Sequence, residues 1–196
     1  GNYMPYSYAN VFESLGYSSR SYHNNSYNYY NRDTYKIDYY YGSTKLNTIE
    51  NVKFDATISR APYTWTPTAA QCGVDNDYTF AGWYADSGLN TQYTFNKMPA
   101  SNLVLYAKWT APSYMVRYLD EDGSTELSAS KTVEKYHKAE KPANPTKSGY
   151  TFDGWYTTAY GNTLYDWNMQ ITADTDIYAH WSRNMLSYTV RYVDEA

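Results

Sequence analysis

The sequence has almost no cysteine. Cys72 is the one cysteine among 196 residues, so no disulfide can form within the chain. A reactive thiol would need a neighbouring His or Lys to lower its pKa, and none lies close in the sequence. We therefore interpret Cys72 as a small residue in a loop.

Other absences exclude whole classes of function. The net charge is −4 with no long basic run, which argues against nucleic-acid partners and anionic membrane surfaces. No apolar stretch approaches the roughly 20 residues that span a bilayer. Ser-His-Asp order, a Gly-rich phosphate loop and Cys/His metal spacing are also missing from the sequence. We expect a non-enzymatic protein without catalytic residues, cofactor or metal that does not span a membrane.

Aromatic residues are abundant instead, with 27 Tyr and 6 Trp. They recur in an internal repeat: residues 78–109 align without a gap to residues 150–181, with 13 of 32 positions identical. Such self-similarity indicates a repeat architecture. A unit of about 70 residues has little core of its own, but each buried ring removes about 150–250 Å² from water.

Each repeat is preceded by alternating apolar residues that predict a half-buried strand. Three such strands begin at Tyr35, Tyr114 and Tyr188 and follow the pattern Tyr-x-Val/Ile-x-Tyr. They define unit one (residues 34–110), unit two (residues 113–182) and the first strand of a truncated third unit (residues 187–196). Because the third pattern stops at the last residue, we expect the chain to be a piece of a longer protein.

Within unit two, three further strands are predicted at residues 128–133, 150–156 and 177–181. Gly154 allows a bulge or a close backbone approach in the second of these. Residues 141–149 hold two prolines and predict an irregular crossover. In the last strand and its unit-one counterpart, the small Ala179 and Ala107 are expected to leave room for a ring across the core.

The run GYTFDGWYT at residues 149–157, the Pro-x-x-Pro-Thr-Lys before it and the closing Tyr-Ala-x-Trp carry a resemblance. They resemble the Listeria–Bacteroides repeat family, which includes the B-repeat of internalin B, over residues 34–196. The resemblance implies an α+β, strand-dominated fold of tandem β-grasp-like units on secreted or wall-attached bacterial proteins. It brings no catalytic residues. Unit one departs from the family pattern over residues 61–77.

Residues 1–33 form an N-terminal arm outside the repeats. Residues 4–15 place Tyr8, Val11, Phe12 and Leu15 on one helical face, which predicts a short helix followed by an extended segment.

The arm has a second, weaker resemblance. Leu-Gly-Tyr, a strand and then His-Asn-Asn with an aromatic-x-Arg resemble a piece of the sulfatase-type domain of lipoteichoic acid synthases. That resemblance implies that His23, Tyr30 and Arg32 hold a glycerol phosphate. The forked N–H donors of an arginine suit the oxygens of a phosphate group. The threonine nucleophile and metal ligands of such enzymes have no counterpart here. The alternative is an arm that packs on unit one.

Two other groups are candidate sites. Asp120, Glu121 and Asp122 suggest a charged hairpin turn in preference to a cation loop, which needs more ligands. His180 aligns with Lys108 on the outward face of its strand, so a solvated histidine is expected.

The aromatic residues divide into two sets. The recurring Trp83, Trp109, Trp155 and Trp181 are interpreted as core. Tyr84 and Tyr156 are candidates for an exposed aromatic surface that stacks on sugar rings.

We interpret the chain as a bacterial surface repeat protein, extracellular or attached to the cell wall. It would serve as a spacer, an adhesive or a ligand-presenting module, with host or cell-wall glycans or proteins as partners, and it would be a monomer. The alternatives are a glycerol-phosphate or teichoic-acid binding remnant of a synthase-like enzyme, and a carbohydrate-binding module. Nothing in the sequence identifies the ligand.

Overall fold

The computed structural model describes residues 17–21 and 28–194. The chain divides into two compact units between Thr110 and Ala111. Both are strand-dominated, each with one four-stranded sheet, and the described residues form only one short helix. The strand-dominated fold predicted from the sequence is confirmed.

In unit one, the arm contributes a two-stranded antiparallel ribbon of β1 (Tyr17–Ser21) and β2 (Asn28–Arg32). The predicted N-terminal helix lies outside the described residues. The main sheet and the helix of this unit are β3 (Thr34–Tyr41), β4 (Thr44–Lys53), α1 (Ala69–Cys72), β5 (Thr79–Tyr84) and β6 (Leu103–Thr110).

In unit two, all three strands predicted beyond the first are present, with boundaries within a few residues. Residues 141–149 form an irregular crossover without a strand, as predicted. The strands are β7 (Ser113–Leu119), β8 (Glu126–Glu134), β9 (Tyr150–Tyr156) and β10 (Thr175–Arg183).

The two main sheets share one topology. Their strand orders are β4-β3-β6-β5 and β8-β7-β10-β9, so the first and last strands of each unit lie side by side at the centre. These central pairs are parallel, whereas every other pair in the two sheets is antiparallel. A parallel pair requires a long connection. The second strand, the crossover and the third strand together form that connection here.

A glycine bulge recurs in the third strand of each unit. Gly154 has φ 147° and sits where the β9–β10 register shifts by one residue. Gly82 has φ 115° at the equivalent shift between β5 and β6. Residues that carry a side chain rarely adopt these φ angles. The backbone conformation therefore explains why glycine stands at this position in both repeats.

The core of each unit lies on one face of its sheet. In unit one, Ile37 and Tyr39 are fully buried and Trp83 is 3% exposed. Trp83 pairs with Ala107 across the ladder, and its ring contacts Tyr39 at a centroid distance of 4.8 Å. The small Ala107 therefore lets an indole cross β6 to reach β3, as the sequence predicted.

Unit two repeats this arrangement. Val116 and Tyr118 are buried, and Trp155 pairs with Ala179. The Tyr118 and Trp155 rings are 5.8 Å apart. The core interpretation is confirmed for Trp83 and Trp155, whereas Trp109 and Trp181 are partly buried and pack against the two cores.

In both units, the hydroxyl of a buried tyrosine on the first strand is hydrogen-bonded to the crossover. Tyr39 donates to the Tyr63 carbonyl at 2.6 Å, and Tyr118 donates to the Glu140 carbonyl at 2.6 Å. Burial raises the pKa of both phenols, so each stays a donor at any physiological pH.

The strands β4 and β8 lie at sheet edges and are irregular. Each shows two register shifts against its neighbour. Asn51 in β4 has φ 58°, and these strands carry lysines such as Lys45 and Lys131 with about half of their side chains exposed. Bulges and lysines are the usual protection of a free strand edge.

Residues 69–72 of unit one form α1. Cys72 is therefore the last residue of a short helix, which corrects its interpretation as a loop residue. Thr68 caps the helix through a reciprocal capping box with Gln71, and Gly73 ends it at φ 66°. This local chemistry stabilises a one-turn helix that apolar periodicity cannot reveal. Cys72 is buried, and burial raises the pKa of its thiol, so an activated nucleophile is not formed.

Residues 184–194 lie outside any strand of the structure. Tyr188, Val190 and Tyr192 are exposed there. In units one and two the corresponding strand is hydrogen-bonded on both sides, by the second and the last strand of its unit. No described residue supplies such neighbours for residues 187–194. That residues 187–196 begin a third unit stays a prediction.

Asp38 is a buried carboxylate on the sheet of unit one, only 5% exposed. It accepts from Thr48 Oγ1 at 2.5 Å and from Lys45 Nζ at 2.9 Å, and it pairs with Lys36 at 3.1 Å. Burial alone would raise the pKa of Asp38, but these hydrogen bonds outweigh it and lower the pKa from 3.8 to about 2.

We expect Trp155→Ala to lower the free energy of unfolding of unit two by about 3–5 kcal/mol, because a buried ring is replaced by a cavity. The two cores are separate clusters, so unit one should keep its own transition. Urea unfolding followed by circular dichroism measures both transitions, and Trp83→Ala should shift the other one. A near-neutral result for Trp155→Ala would show that its ring does not support the core.

The stability of unit one should depend on the ionisation of Asp38. Because its folded pKa lies below the unfolded value, its contribution is present above about pH 4 and is lost as the pH falls through 2. We expect Asp38→Asn to cost about 2 kcal/mol at pH 6, from about 1.4 kcal/mol per pKa unit.

The test is urea unfolding of the wild type and of Asp38→Asn from pH 6 to pH 2. The difference between their free energies of unfolding should shrink toward pH 2. Glu50→Gln, at an exposed position on the neighbouring strand, is the control. A stability difference that stays constant with pH would contradict an ionic origin of the stabilisation by Asp38.

Candidate functional site

The arm residues predicted to hold a phosphate are only partly described. His23 lies outside the described residues. Tyr30 lies in β2 opposite Ser19, and Arg32 ends the same strand opposite Tyr17. The Arg32 side chain is exposed, and its Nη1 lies 3.5 Å from the Phe54 carbonyl. The structure thus places Tyr30 and Arg32 on one strand and brings Arg32 near Phe54, and the proposed grouping of the three residues stays a prediction.

Tyr84 and Tyr156, the candidate aromatic surface, each have one ring face occupied. The Tyr156 ring stacks on His180 with centroids 3.9 Å apart and planes 6° from parallel. In unit one, Lys108 Nζ lies 4.9 Å above the Tyr84 ring. Both tyrosines are half-buried. At most the opposite ring face remains for a sugar to stack on.

The stack also corrects the prediction for His180. It is half-buried rather than freely solvated, and its Nε2 lies 2.9 Å from the Thr158 carbonyl oxygen. A planar ring at this position stacks where the lysine of unit one makes a cation–π contact. Sequence alignment alone could not show this because Tyr156 and His180 are brought together by the ladder.

The acidic turn after β7 contains a buried anchor. Asp120 is 8% exposed and accepts from Trp181 Nε1 at 2.7 Å, from Lys147 Nζ at 3.0 Å and from the Glu121 backbone at 2.8 Å. Burial alone would raise the pKa of Asp120, but the bonds from Lys147 and Trp181 outweigh it and lower the pKa. Asp120 therefore ties the turn, the crossover and β10 together.

Asp122 closes the same turn by a different set of bonds. Its carboxylate accepts from the Thr125 hydroxyl and from the backbone amides of Ser124 and Thr125, which lower its pKa. The hairpin interpretation is confirmed, since β7 and β8 pair antiparallel across this turn, Asp120 is buried and Asp122 caps the turn. Across residues 17–21 and 28–194, no group of three His, Cys, Asp or Glu side chains could hold a metal ion.

A cleft of about 390 Å³ opens on unit two beside Trp155. Its walls are aromatic and come from Phe152, Trp155, Tyr165 and Trp167. The lining is completed by Lys141, Asn144, Asp153, Gly154 and Leu164. Concave, mostly apolar sites with a few polar groups are where small ligands and single side chains bind. The sequence reasoning treated Trp155 as core alone and missed this cleft.

Two buried polar atoms of the cleft residues have no hydrogen-bond partner in the described part of the chain: Trp155 Nε1 and the Tyr165 hydroxyl. Trp155 is 2% exposed and Tyr165 is 6% exposed. An unpaired buried donor costs about 1–3 kcal/mol. Both atoms are shielded from solvent, so they lie within the packed wall behind the cleft and not on its open surface.

Two four-stranded sheets of identical topology, built on a shared aromatic pattern, define a tandem repeat protein. The chain belongs to the Listeria-Bacteroides repeat domain family, whose pattern it matches over residues 35–108 and again over residues 114–180. The family resemblance of the sequence is thereby confirmed.

Curated relatives agree with this assignment. The chain is 38% identical over 145 residues to Internalin H of Listeria monocytogenes serovar 1/2a. The aligned region covers 72% of this chain and 25% of Internalin H. It is 31% identical over 113 residues to a protein of Evansella cellulosilytica described as a Gly-rich membrane protein, covering 56% and 13% of the two chains.

A second membrane protein of the same organism is 31% identical over 118 residues, with 59% and 17% coverage. The chain thus spans a quarter or less of the relatives it matches. None of the helices in the described part of the chain has the length and apolar character to cross a membrane.

We expect Lys147→Met to destabilise unit two by about 1–3 kcal/mol, because it leaves the Asp120 carboxylate buried without its cation. The matched control is Lys131→Met, since Lys131 meets Glu140 at 3.5 Å in an exposed pair and should change stability by less than about 0.5 kcal/mol. Thermal unfolding of both variants at pH 7 measures the difference. Equal effects of the two substitutions would contradict the anchoring role of Asp120.

Proposed function

We propose that the chain is a non-enzymatic module of a bacterial surface protein that extends and presents neighbouring domains. The observation that supports this most is the duplication itself, two independent cores with one strand order. Repeat proteins add such units one after another along the chain. Adhesion to host or cell-wall glycans or proteins belongs to the same proposal, as does an extracellular or wall-attached location for a monomeric chain.

A β-grasp-like description of each unit is part of this proposal. The strand order, with a central parallel pair of first and last strands, supports it. The grasping helix is reduced to the single turn of α1 in unit one, and the crossover of unit two contains none. Each unit would then keep the sheet and replace the helix by aromatic crossover segments.

Antibodies raised against residues 111–184 should label intact cells of the organism that makes this protein. Labelling should not require permeabilisation and should be lost after treatment of whole cells with a protease. Antibodies against a cytoplasmic enzyme serve as the control and should label only opened cells. Signal confined to permeabilised cells would contradict the surface role.

A second function is proposed for the arm: binding of glycerol phosphate or a teichoic acid through His23, Tyr30 and Arg32. The exposure of the Arg32 guanidinium at the end of β2 supports it, since Arg donors match phosphate oxygens.

Calorimetric titration of the chain with glycerol phosphate tests the arm. Binding should be weak and salt-dependent and should fall by at least fivefold in Arg32→Ala. The control is Arg60→Ala, which removes an exposed arginine from the crossover of the same unit. Absence of heat from the wild type would leave the arm as a structural element.

A further inference from the structure

Three polar side chains line the cleft of unit two, and the protein leaves most of their hydrogen-bonding capacity unused. They are Lys141 and Asn144 of the crossover and Asp153 of β9, and all three are exposed. Among the residues whose structure is described, neither Lys141 nor Asn144 makes a side-chain hydrogen bond or an ion pair. Asp153 accepts from Ser182 through Oδ2 at 2.6 Å, which leaves Oδ1 for a ligand. The cleft therefore offers both donors and acceptors to a polar molecule.

The aromatic part of the lining is held in a fixed arrangement. Phe152 and Trp167 line the cleft and are only partly buried, so both present surface to a ligand. The Phe152 ring packs edge-on against Trp155, with centroids 5.6 Å apart. The Trp167 ring packs in the same way against Tyr165, with centroids 4.9 Å apart. A ligand would thus meet rings that are already in place, which lowers the entropic cost of binding.

Comparison with unit one separates lining residues that the fold needs from those that belong to unit two alone. Four lining residues are identical in the two units and form the core or the glycine bulge: Phe152, Gly154, Trp155 and Tyr165. Three others differ, namely Asp153, Leu164 and Trp167, where unit one has Ala81, Gln92 and Phe95. Unit one builds the same sheet without a carboxylate or an indole at these places. Packing of the fold therefore does not require either group in unit two.

The mixture of groups restricts the class of ligand. A wholly apolar ligand would remove water from Lys141 and Asp153 without replacing its hydrogen bonds. A phosphate would meet the Asp153 carboxylate, and Lys141 is the one cation in the lining. A pyranose sugar suits both parts of the cleft. Its C–H groups pack on the negative face of an aromatic ring, and its hydroxyls donate to carboxylates and accept from ammonium or amide groups.

We propose that the cleft of unit two binds one pyranose residue of a glycan. The C–H face of the sugar packs on Phe152 and Trp167, while its hydroxyls donate to Asp153 and accept from Lys141 and Asn144. A volume of about 390 Å³ lies at the low end for small-ligand sites and suits one sugar residue. The proposal rests on the surface role proposed above for access to glycans, but sugar binding in solution is measured without it.

Nuclear magnetic resonance of the ¹⁵N-labelled full chain tests the proposal through its six indole N–H signals and the Gly154 amide. The probes are triacetylchitotriose, built from an amino sugar of bacterial walls, and lactose, which ends in galactose as many host glycans do. At least one should shift the Trp167 and Gly154 signals saturably, with a Kd on the order of 1 mM for so small a ligand. The Trp83 signal of unit one should not move. The tighter ligand shows which source of glycan the cleft favours.

Asp153→Ala and Trp167→Phe give the cleft the residues of unit one, whose fold accommodates them. Each should weaken binding at least about fivefold, because the first removes a charged acceptor and the second reduces the stacking surface. The Gly154 amide reports binding in both variants. The matched control is Glu126→Ala, which removes an exposed carboxylate from β8 at the opposite edge of the sheet and should bind like the wild type.

Three results would overturn the proposal. One is the absence of a saturable shift at Trp167 with both sugars at concentrations well above the expected Kd. Another is an equal shift with sorbitol, which has the hydroxyls of a sugar but no ring. The third is wild-type affinity in both Asp153→Ala and Trp167→Phe. None of these results would affect labelling of intact cells, so failure of the sugar site is distinguishable from failure of the surface role.

Discussion

Each unit depends on one aromatic contact, the packing of a third-strand tryptophan on a first-strand tyrosine across the central parallel pair. The contact is possible because Ala107 and Ala179 on the intervening strand leave space for an indole. The same tyrosines, Tyr39 and Tyr118, hold the crossover by their hydroxyls. A single residue thus fixes both the sheet-to-crossover spacing and the centre of the core, which is how about 70 residues make a stable unit.

Much of this could be predicted from the residues. Period-two patterns located β3, β7, β9 and β10, since a half-buried strand must alternate. The edge strand β4 was not predicted, because its core-facing residues Leu46, Ile49 and Val52 are spaced by three and not by two. Contacts made across the fold also escaped: the bond from Trp181 to Asp120 spans 61 residues and has no local signature. The cleft also escaped, because its lining comes from the crossover, from β9 and from residues 164–167, which are separated in the sequence.

Comparison of the two units shows which parts of the duplicated fold are retained and which have diverged. The sheet positions that contact both neighbours are retained, including the glycine bulges at Gly82 and Gly154. The crossover, which touches only one face of the sheet, has diverged in length and in side chains. In unit one it is self-sufficient, with a capped turn and an inserted ring. In unit two the crossover is irregular, and its Lys141 and Asn144 line the cleft beside Trp155.

The irregular edge strands have a consequence for chains that carry many copies of one fold. Joined units expose their free edges to each other at effective concentrations on the order of millimolar. Flat edges of similar sequence would then exchange strands between units and give domain-swapped, misfolded arrays. The bulges and the lysines Lys45 and Lys131 along β4 and β8 oppose such exchange. The edges thus allow the repeat number to grow without cross-pairing between units.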